Sequence, residues 1–367
     1  MRTLDRYLLR SFLFNYAAAL FVMVSMYVVL DLFFNLDEFT ENDRPFFTTL
    51  LDIADYYAFN VPFYFSQLSG VITLFAACFT LARLQWANET TAILASGVSL
   101  YRVAAPIVVA GFCMNVLLVA DFEVIIPAIA PKLARSRDDV EETRVYDLWF
   151  VKDGNRVLSA QHFRPKPEPG EIRNLRVVEL AGPRKQLAGA ITAANATWDP
   201  AKHRWNLVSG RHYDLSGADN SSVKPTPVDF YESQLDPDQL VLRKMVAWTQ
   251  FLSTSQLNKL VDQDETRRGM VDQIKHTRFT QPITNMILLL LGISFFMSRL
   301  PRESVLNQAV KAIGTCALLI MLAFAGHHMI GAVGSVFHVP IPAAFPAWIP
   351  IFLFGPLAVW LLDSVKT

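Results

Sequence analysis

Few residues in this chain have the type and spacing that chemistry needs, and those few do not form a catalytic set. Glu89 is the only acid in the stretch Asn88–Arg102, NETTAILASGVSLYR, where it falls in the first turn of an expected helix and could pair with a cation on another surface. Asn88 is a favourable N-cap and Gly97 suits the left-handed residue just past a helix end, so the spacing predicts a helix over Glu89–Ser96. At about 1.5 Å per residue it would be roughly 12 Å long. Ala92, Ile93, Leu94 and Ala95 give it a small, apolar surface that permits close approach, and Thr90 and Ser96 complete the candidate docking residues. Such a segment is either a docking element or a capped connector. His327 and His328 lie in a later apolar run; neighbouring imidazoles on a helix diverge, so contact with an anionic headgroup or partner helix fits better than a metal, and interfacial histidines satisfied by water or backbone fit as well. Asp31, Phe34 and Arg44 stand where the first apolar run gives way to a polar connection, and complete the candidates for meeting a lipid or a gate.

Other chemistry is absent. The sequence has no G-x-x-x-x-G-K-[ST] loop, nucleophile elbow, H-E-x-x-H or zinc-type Cys/His spacing. No catalytic residue, metal or cofactor is expected on this chain, and uphill work would draw its energy from a partner. Cys78, Cys113 and Cys316 all fall in apolar runs, so no disulfide framework exists.

The elements that must position these residues follow from charge segregation. Of 367 residues 52% are hydrophobic and the net charge is zero, yet long uncharged runs alternate with charged stretches, which overrules the two or three soluble domains that length alone suggests. The expected spans are Ser11–Leu30, Tyr56–Ala82 with Pro62 as a point of tilt, Val103–Ala120 continuing towards Pro127 and Pro131, Phe279–Ser298, Ala312–Val336 and Ala347–Leu362. The last two come from 51 uncharged residues, too many for one crossing, divided by Pro340, Pro342 and Pro346. Arg2, Arg6, Arg10, Arg83, Arg102, Arg299, Arg302, Lys311 and Lys366 flank one set of span ends, which places both termini and the Glu89 segment in the cytoplasm. The connection Asp31–Asp55, with six further acids against Arg44, is expected outside. Asn115 and Asn285 fit hydrogen bonds between helices.

Between spans three and four, residues 132–278 carry most of the charge and read as an outside domain, flanked by membrane parts at 1–131 and 279–367. Val145–Lys152 and Val157–Ala160 alternate around Asp153-Gly154 as a hairpin, and Ile191–Trp198, Trp205–Ser209 and His212–Leu215 continue an antiparallel pattern. Trp149, Trp198 and Trp205 are expected on strand faces or in a core. After Pro237 the pattern turns helical, and Ser253–Gln256 is a capping-box match before Leu257, Leu260 and Val261. The expected fold is a six-helix polytopic membrane protein with a β-rich, jellyroll-like periplasmic domain.

At this point the chain resembles the LptF/LptG family, permease subunits of a lipopolysaccharide transporter. The resemblance rests on Leu4-Asp5-Arg6-Tyr7, the Glu89–Ser99 stretch, Ala196-Thr-Trp198 with Trp205-Asn-Leu207, and Pro282 with Leu291-Gly-Ile-Ser294. It implies a β-jellyroll that passes lipopolysaccharide to a bitopic LptC-like partner, and a second LptF/LptG-type permease around a shared cavity. It also implies an LptB-like ATPase dimer beneath them that holds the ATP and Mg, with no nucleic acid involved. The segment from Glu89 to Gly97 resembles the family's coupling helix, and spans one and five would line a lateral gate. The Leu-Asp-Arg-Tyr start is closer to LptG than to LptF. LptG proteins can carry basic residues near the outer end of span one, whereas Asp31, Asp37 and Glu38 stand here, so divalent cations, Arg44 or the histidines would have to meet lipid phosphates instead. The alternatives are another ATPase-linked efflux or lipoprotein-release permease, which more typically has four spans with the large domain after the first, and a membrane-anchored sensor or scaffold with a ligand-binding β-domain. A membrane enzyme built on His327-His328 is the poorest fit.

Overall fold

A backbone in lipid must satisfy its own hydrogen bonds, and the uncharged runs accordingly fold as long helices. The computed structural model describes residues 3–40, 45–133, 146–165, 169–182, 186–215, 224–233, 235–244, 248–263, 265–296 and 344–364, with isolated positions between 304 and 342. The helices are α1 (Thr3–Phe34), α2 (Leu36–Thr40), α3 (Phe46–Trp86), α4 (Glu89–Ala95), α5 (Leu100–Ala120), α6 (Ile126–Leu133), α7 (Pro237–Lys244), α8 (Thr254–Gln263), α9 (Arg268–Phe296) and α10 (Phe345–Ser364). A π-helical turn, Asp121–Ile125, joins α5 to α6. Among the described residues five helical stretches are long and apolar enough to cross a bilayer: α1, α3, α5 through α6, α9 and α10. The expected fifth span, Ala312–Val336, falls for the most part outside the described residues.

All five extend past the apolar runs that foretold them at one end or both. α1 continues to Phe34, α3 begins at Phe46 rather than Tyr56, and α9 begins at Arg268 rather than Phe279. The expected loop Asp31–Asp55 is therefore largely helical. Charge ends the stretch that lipid tolerates, but Asp, Glu, Lys and Arg remain adequate helix formers in water. α3 runs through Pro62 without a break.

Apolar helices gain little from one another by hydrophobicity inside lipid, so close approach and hydrogen bonds must hold them. A Cβ on Gly292 of α9 would collide with Leu74 Cδ1 of α3, which shows how closely these two helices approach. Beside this contact, Asn285 Nδ2 donates to Ser69 Oγ at 3.0 Å and to Asn115 Oδ1 at 3.1 Å, and Asn115 Nδ2 donates to Gly111 O at 3.1 Å. One buried amide thus ties α9 to both α3 and α5, worth about 1 kcal/mol per bond.

The sheet is antiparallel and eight-stranded: β1 (Tyr146–Asp153), β2 (Arg156–Arg164), β3 (Glu171–Ala181), β4 (Gln186–Asp199), β5 (Arg204–Val208), β6 (Arg211–Asp214), β7 (Thr226–Pro227) and β8 (Phe230–Glu232). The order is β1-β2-β3-β4-β5-β8, with β6 also on β4 and β7 on β6. The first hairpin turns at Gly154-Asn155, one residue later than expected, with Gly154 at φ +61°. Register shifts interrupt β1–β2 twice, and Phe150 and His162 take positive φ there, so the outer strand is bulged. Inward residues Leu158, Phe163, Ile172, Leu175, Val177 and Trp205 are fully buried and form one core with α6, α7 and α8. Trp205 packs on Trp198 at 5.1 Å and edge-on to Phe163 at 6.4 Å, as core aromatics. The Trp149 side chain lies outside the described ones.

Candidate docking site

α3 ends in a tight reversal, and α4 begins at once. Ala87 N donates to Arg83 O and Asn88 N to Gln85 O, both at 3.0 Å, while Asn88 sits at φ 58° with no side-chain capping bond. Asn88 stands at the expected N-cap, its carbonyl accepting from Ala92 N at 3.3 Å, but in a left-handed conformation that also closes α3 and that asparagine tolerates better than most side chains. α4 then spans seven residues, one fewer than expected. Its far end matches the reading at Gly97, which stands at φ +80°. Gly97 N donates to Leu94 O at 3.0 Å and Val98 N to Ile93 O at 3.4 Å, a Schellman pair.

The helix is two-faced. Ile93 and Leu94, with Val98 beyond the turn, pack against the bundle core. Thr91, Ala92, Ala95, Ser96 and Gly97 are exposed, and Thr90 and Glu89 are half-buried. Trp86, 72% exposed, stands beside this small-residue face. Of the residues expected to make a close fit, Ala92, Ala95, Ser96 and Gly97 face outward and Ile93 faces the core.

Glu89 already has a partner within the chain. The Tyr7 hydroxyl donates to its carboxylate, 2.8 Å from Oε2 and 3.1 Å from Oε1. Beyond the far end of α4 in sequence, Arg102 of α5 makes an ion pair with Asp5, its Nη2 lying 2.9 Å from Oδ2 and 3.1 Å from Oδ1. Two further bonds fix the same end of the bundle: Gln85 Nε2 donates to Phe296 O at 2.6 Å, and the Tyr101 hydroxyl to Leu362 O at 3.1 Å. α4 and its flanks are therefore tied to α1, α9 and α10. Sequence reading missed Asp5 and Tyr7 as the supports behind this site. The available signal was that Asp5 is the only acid in the first thirty residues, set among arginines.

The lipid-facing candidates are far from this end, since α1 spans roughly 48 Å at about 1.5 Å per residue. Asp31 accepts from the Tyr57 hydroxyl at 2.8 Å and from Asn35 Nδ2 at 3.3 Å, beside a cluster of Phe39, Tyr57 and Tyr64. Phe34 is 74% exposed. Arg44, His327 and His328 lie outside the described residues. Among the described residues no group of three or more His, Cys, Asp or Glu could hold a metal ion. The α4 end has an exposed small-residue face and rigid ties to the spans, which suits docking and transmission of force.

The family model described as Lipopolysaccharide export system permease LptF/LptG matches residues 6–364. No curated protein matches the chain.

Proposed function

The chain belongs to the LptF/LptG family of lipopolysaccharide export permeases, and from that premise we propose that it extracts lipopolysaccharide from the inner membrane by using α4 as the lever on which a partner ATPase acts. The family is one of inner-membrane, multi-pass transport permeases that work with an LptB ATPase and a partner permease. In this reading residues 1–131 and 279–367 form the membrane part with both termini cytoplasmic. Residues 132–278 form the periplasmic jellyroll that passes lipid to an LptC-like protein and a periplasmic bridge. ATP and Mg reside on the ATPase, and the chain takes the LptG-type place in the pair. Closure of the ATPase dimer moves α4, narrows the cavity between spans and drives acyl chains towards the sheet. Such a cycle needs a cavity that holds lipid better in one state than in the other.

The observation that carries the reading is the two-faced α4: apolar side chains keyed into the bundle, and Ala92, Ala95, Ser96 and Gly97 offered outward beside Trp86. Glu89, at the edge of that face, would meet a basic residue of the ATPase. Asp31, Phe34, Arg44, His327 and His328 remain the candidates for lipid contact and gating. In vesicles holding the whole complex, Glu89→Lys is expected to lower lipid extracted per ATP hydrolysed by about tenfold or more. Unchanged extraction per ATP and full complementation in cells would sink the lever assignment.

A further inference from the structure

We infer that Asp5 and Tyr7 are positioning residues that brace the α4 segment at both of its ends, so that span one moves with the docking helix as one body. The inference rests on the docking reading of α4. Tyr7 holds Glu89, the first residue of α4, and Asp5 holds Arg102, two residues into α5. The start of α1 therefore straddles the segment from its first residue to the beginning of the next span. These contacts join positions 82 and 97 apart in sequence. Two attachment points, added to the packing of Ile93 and Leu94, resist rotation of the segment against α1 as well as separation from it. Below its braced end, α1 buries Leu8 and Phe12 completely in the bundle core, so a displacement at α4 reaches the body of span one within two turns.

The Tyr7 hydroxyl also sets where Glu89 points. It keeps its proton and donates a hydrogen bond to the carboxylate, which leaves the remaining lone pairs of both oxygens to meet an incoming cation. Tyr7 thus orients Glu89 without neutralising it. A lysine or arginine at position 7 would instead compete with the docking partner.

The test uses the full-length chain with its partner permease and ATPase in lipid vesicles, reading ATP hydrolysis and lipid extraction separately. Asp5→Arg and Arg102→Asp are each expected to lower lipid extracted per ATP by about fivefold, with assembly and hydrolysis within about twofold of the parent. The combined swap, Asp5→Arg with Arg102→Asp, should restore extraction, and Tyr7→Phe should lower extraction while leaving assembly intact. If the single reversals leave extraction per ATP unchanged, or if the swap restores complex yield without extraction, the brace is wrong. Should Glu89→Lys uncouple while these variants do not, the brace alone has failed. Should Glu89→Lys also leave coupling intact, the docking reading has failed.

Discussion

Tyr231 and Ser233 converge on one acceptor, the Asp153 carboxylate at the end of β1. Both hydroxyls donate to Oδ2, at 2.6 and 2.8 Å, and Asp153 is only 4% exposed. Burial, first, and the neighbouring Asp153 charge raise the Tyr231 phenol above its ordinary range. The native state therefore favours the neutral phenol, while the unfolded chain ionises from about pH 10. The resulting stability is present below pH 10 and is lost as pH rises beyond it. Tyr231→Phe should destabilise the sheet by about 1–3 kcal/mol, because a buried carboxylate loses a donor. It should also remove this part of the alkaline loss, followed through fluorescence of the nearby Trp198 and Trp205 in the full-length chain. An alkaline profile identical to the parent's would show that Tyr231 does not carry it. None of this was legible in the sequence, where Asp153 reads only as part of a turn and its partners lie 78 and 80 residues on. The same holds for Tyr7 and Asp5. Their residue types were visible, but a hydrogen bond between distant segments leaves no local pattern.

Elements were far more legible, because periodicity and charge act locally. The capping box is present as read: Ser253 N donates to Gln256 Oε1 at 2.8 Å and Gln256 N to Ser253 Oγ at 3.3 Å, and Leu257 and Leu260 are buried. The strands of β4, β5 and β6 fall where alternation placed them. Helix ends were less legible, since helices outlast the bilayer in water and Asn88 opens α4 from a left-handed conformation without the side-chain bond its type suggests. Close approach between helices was not legible at all, because a glycine looks alike in an open groove and in a contact. Gly292 and Gly355 make the comparison. A side chain at Gly292 meets Leu74 of α3, whereas at Gly355 of α10 the nearest atom is Ile287 Cδ1 at 3.9 Å. Gly292→Leu should cost about 1–3 kcal/mol or more through overpacking, read as a lower melting temperature in detergent. Gly355→Leu should cost clearly less. Equal losses would mean that helix propensity, not the α3–α9 contact, governs both sites.

At the scale of the whole molecule, the movement proposed for α4 matters only if it reaches the sheet, and hydrogen-bonded joints lie between the bundle and the sheet. The π turn after α5 carries Glu123, whose Oε2 accepts from Thr254 N at 3.0 Å and whose Oε1 accepts from the Thr254 hydroxyl. A carboxylate from the bundle thus satisfies the first donor of α8, while the capping box satisfies Gln256. From α9, the buried Arg278 donates to Leu252 O and Gln250 O, both at 2.6 Å, and stacks over Phe122. The helical layer beneath the sheet is bolted to α5 by an anion and to α9 by a cation, the two helices that Asn285 also links. The sequence showed Glu123 and Arg278 only as charges near span ends; their role depends on a loop more than a hundred residues from Glu123. If the joint is continuous, Glu123→Ala should leave the bundle intact but speed amide exchange at Thr254–Leu257 by roughly tenfold or more, since a charge-assisted bond contributes about 1.5–3 kcal/mol. Pairing it with Arg278→Met should cost less than the two single losses added together, because each variant releases the same segment. Strict additivity, or unchanged exchange at α8 in Glu123→Ala, would mean that the sheet is carried by the chain connections alone and that force from α4 cannot pass through this joint.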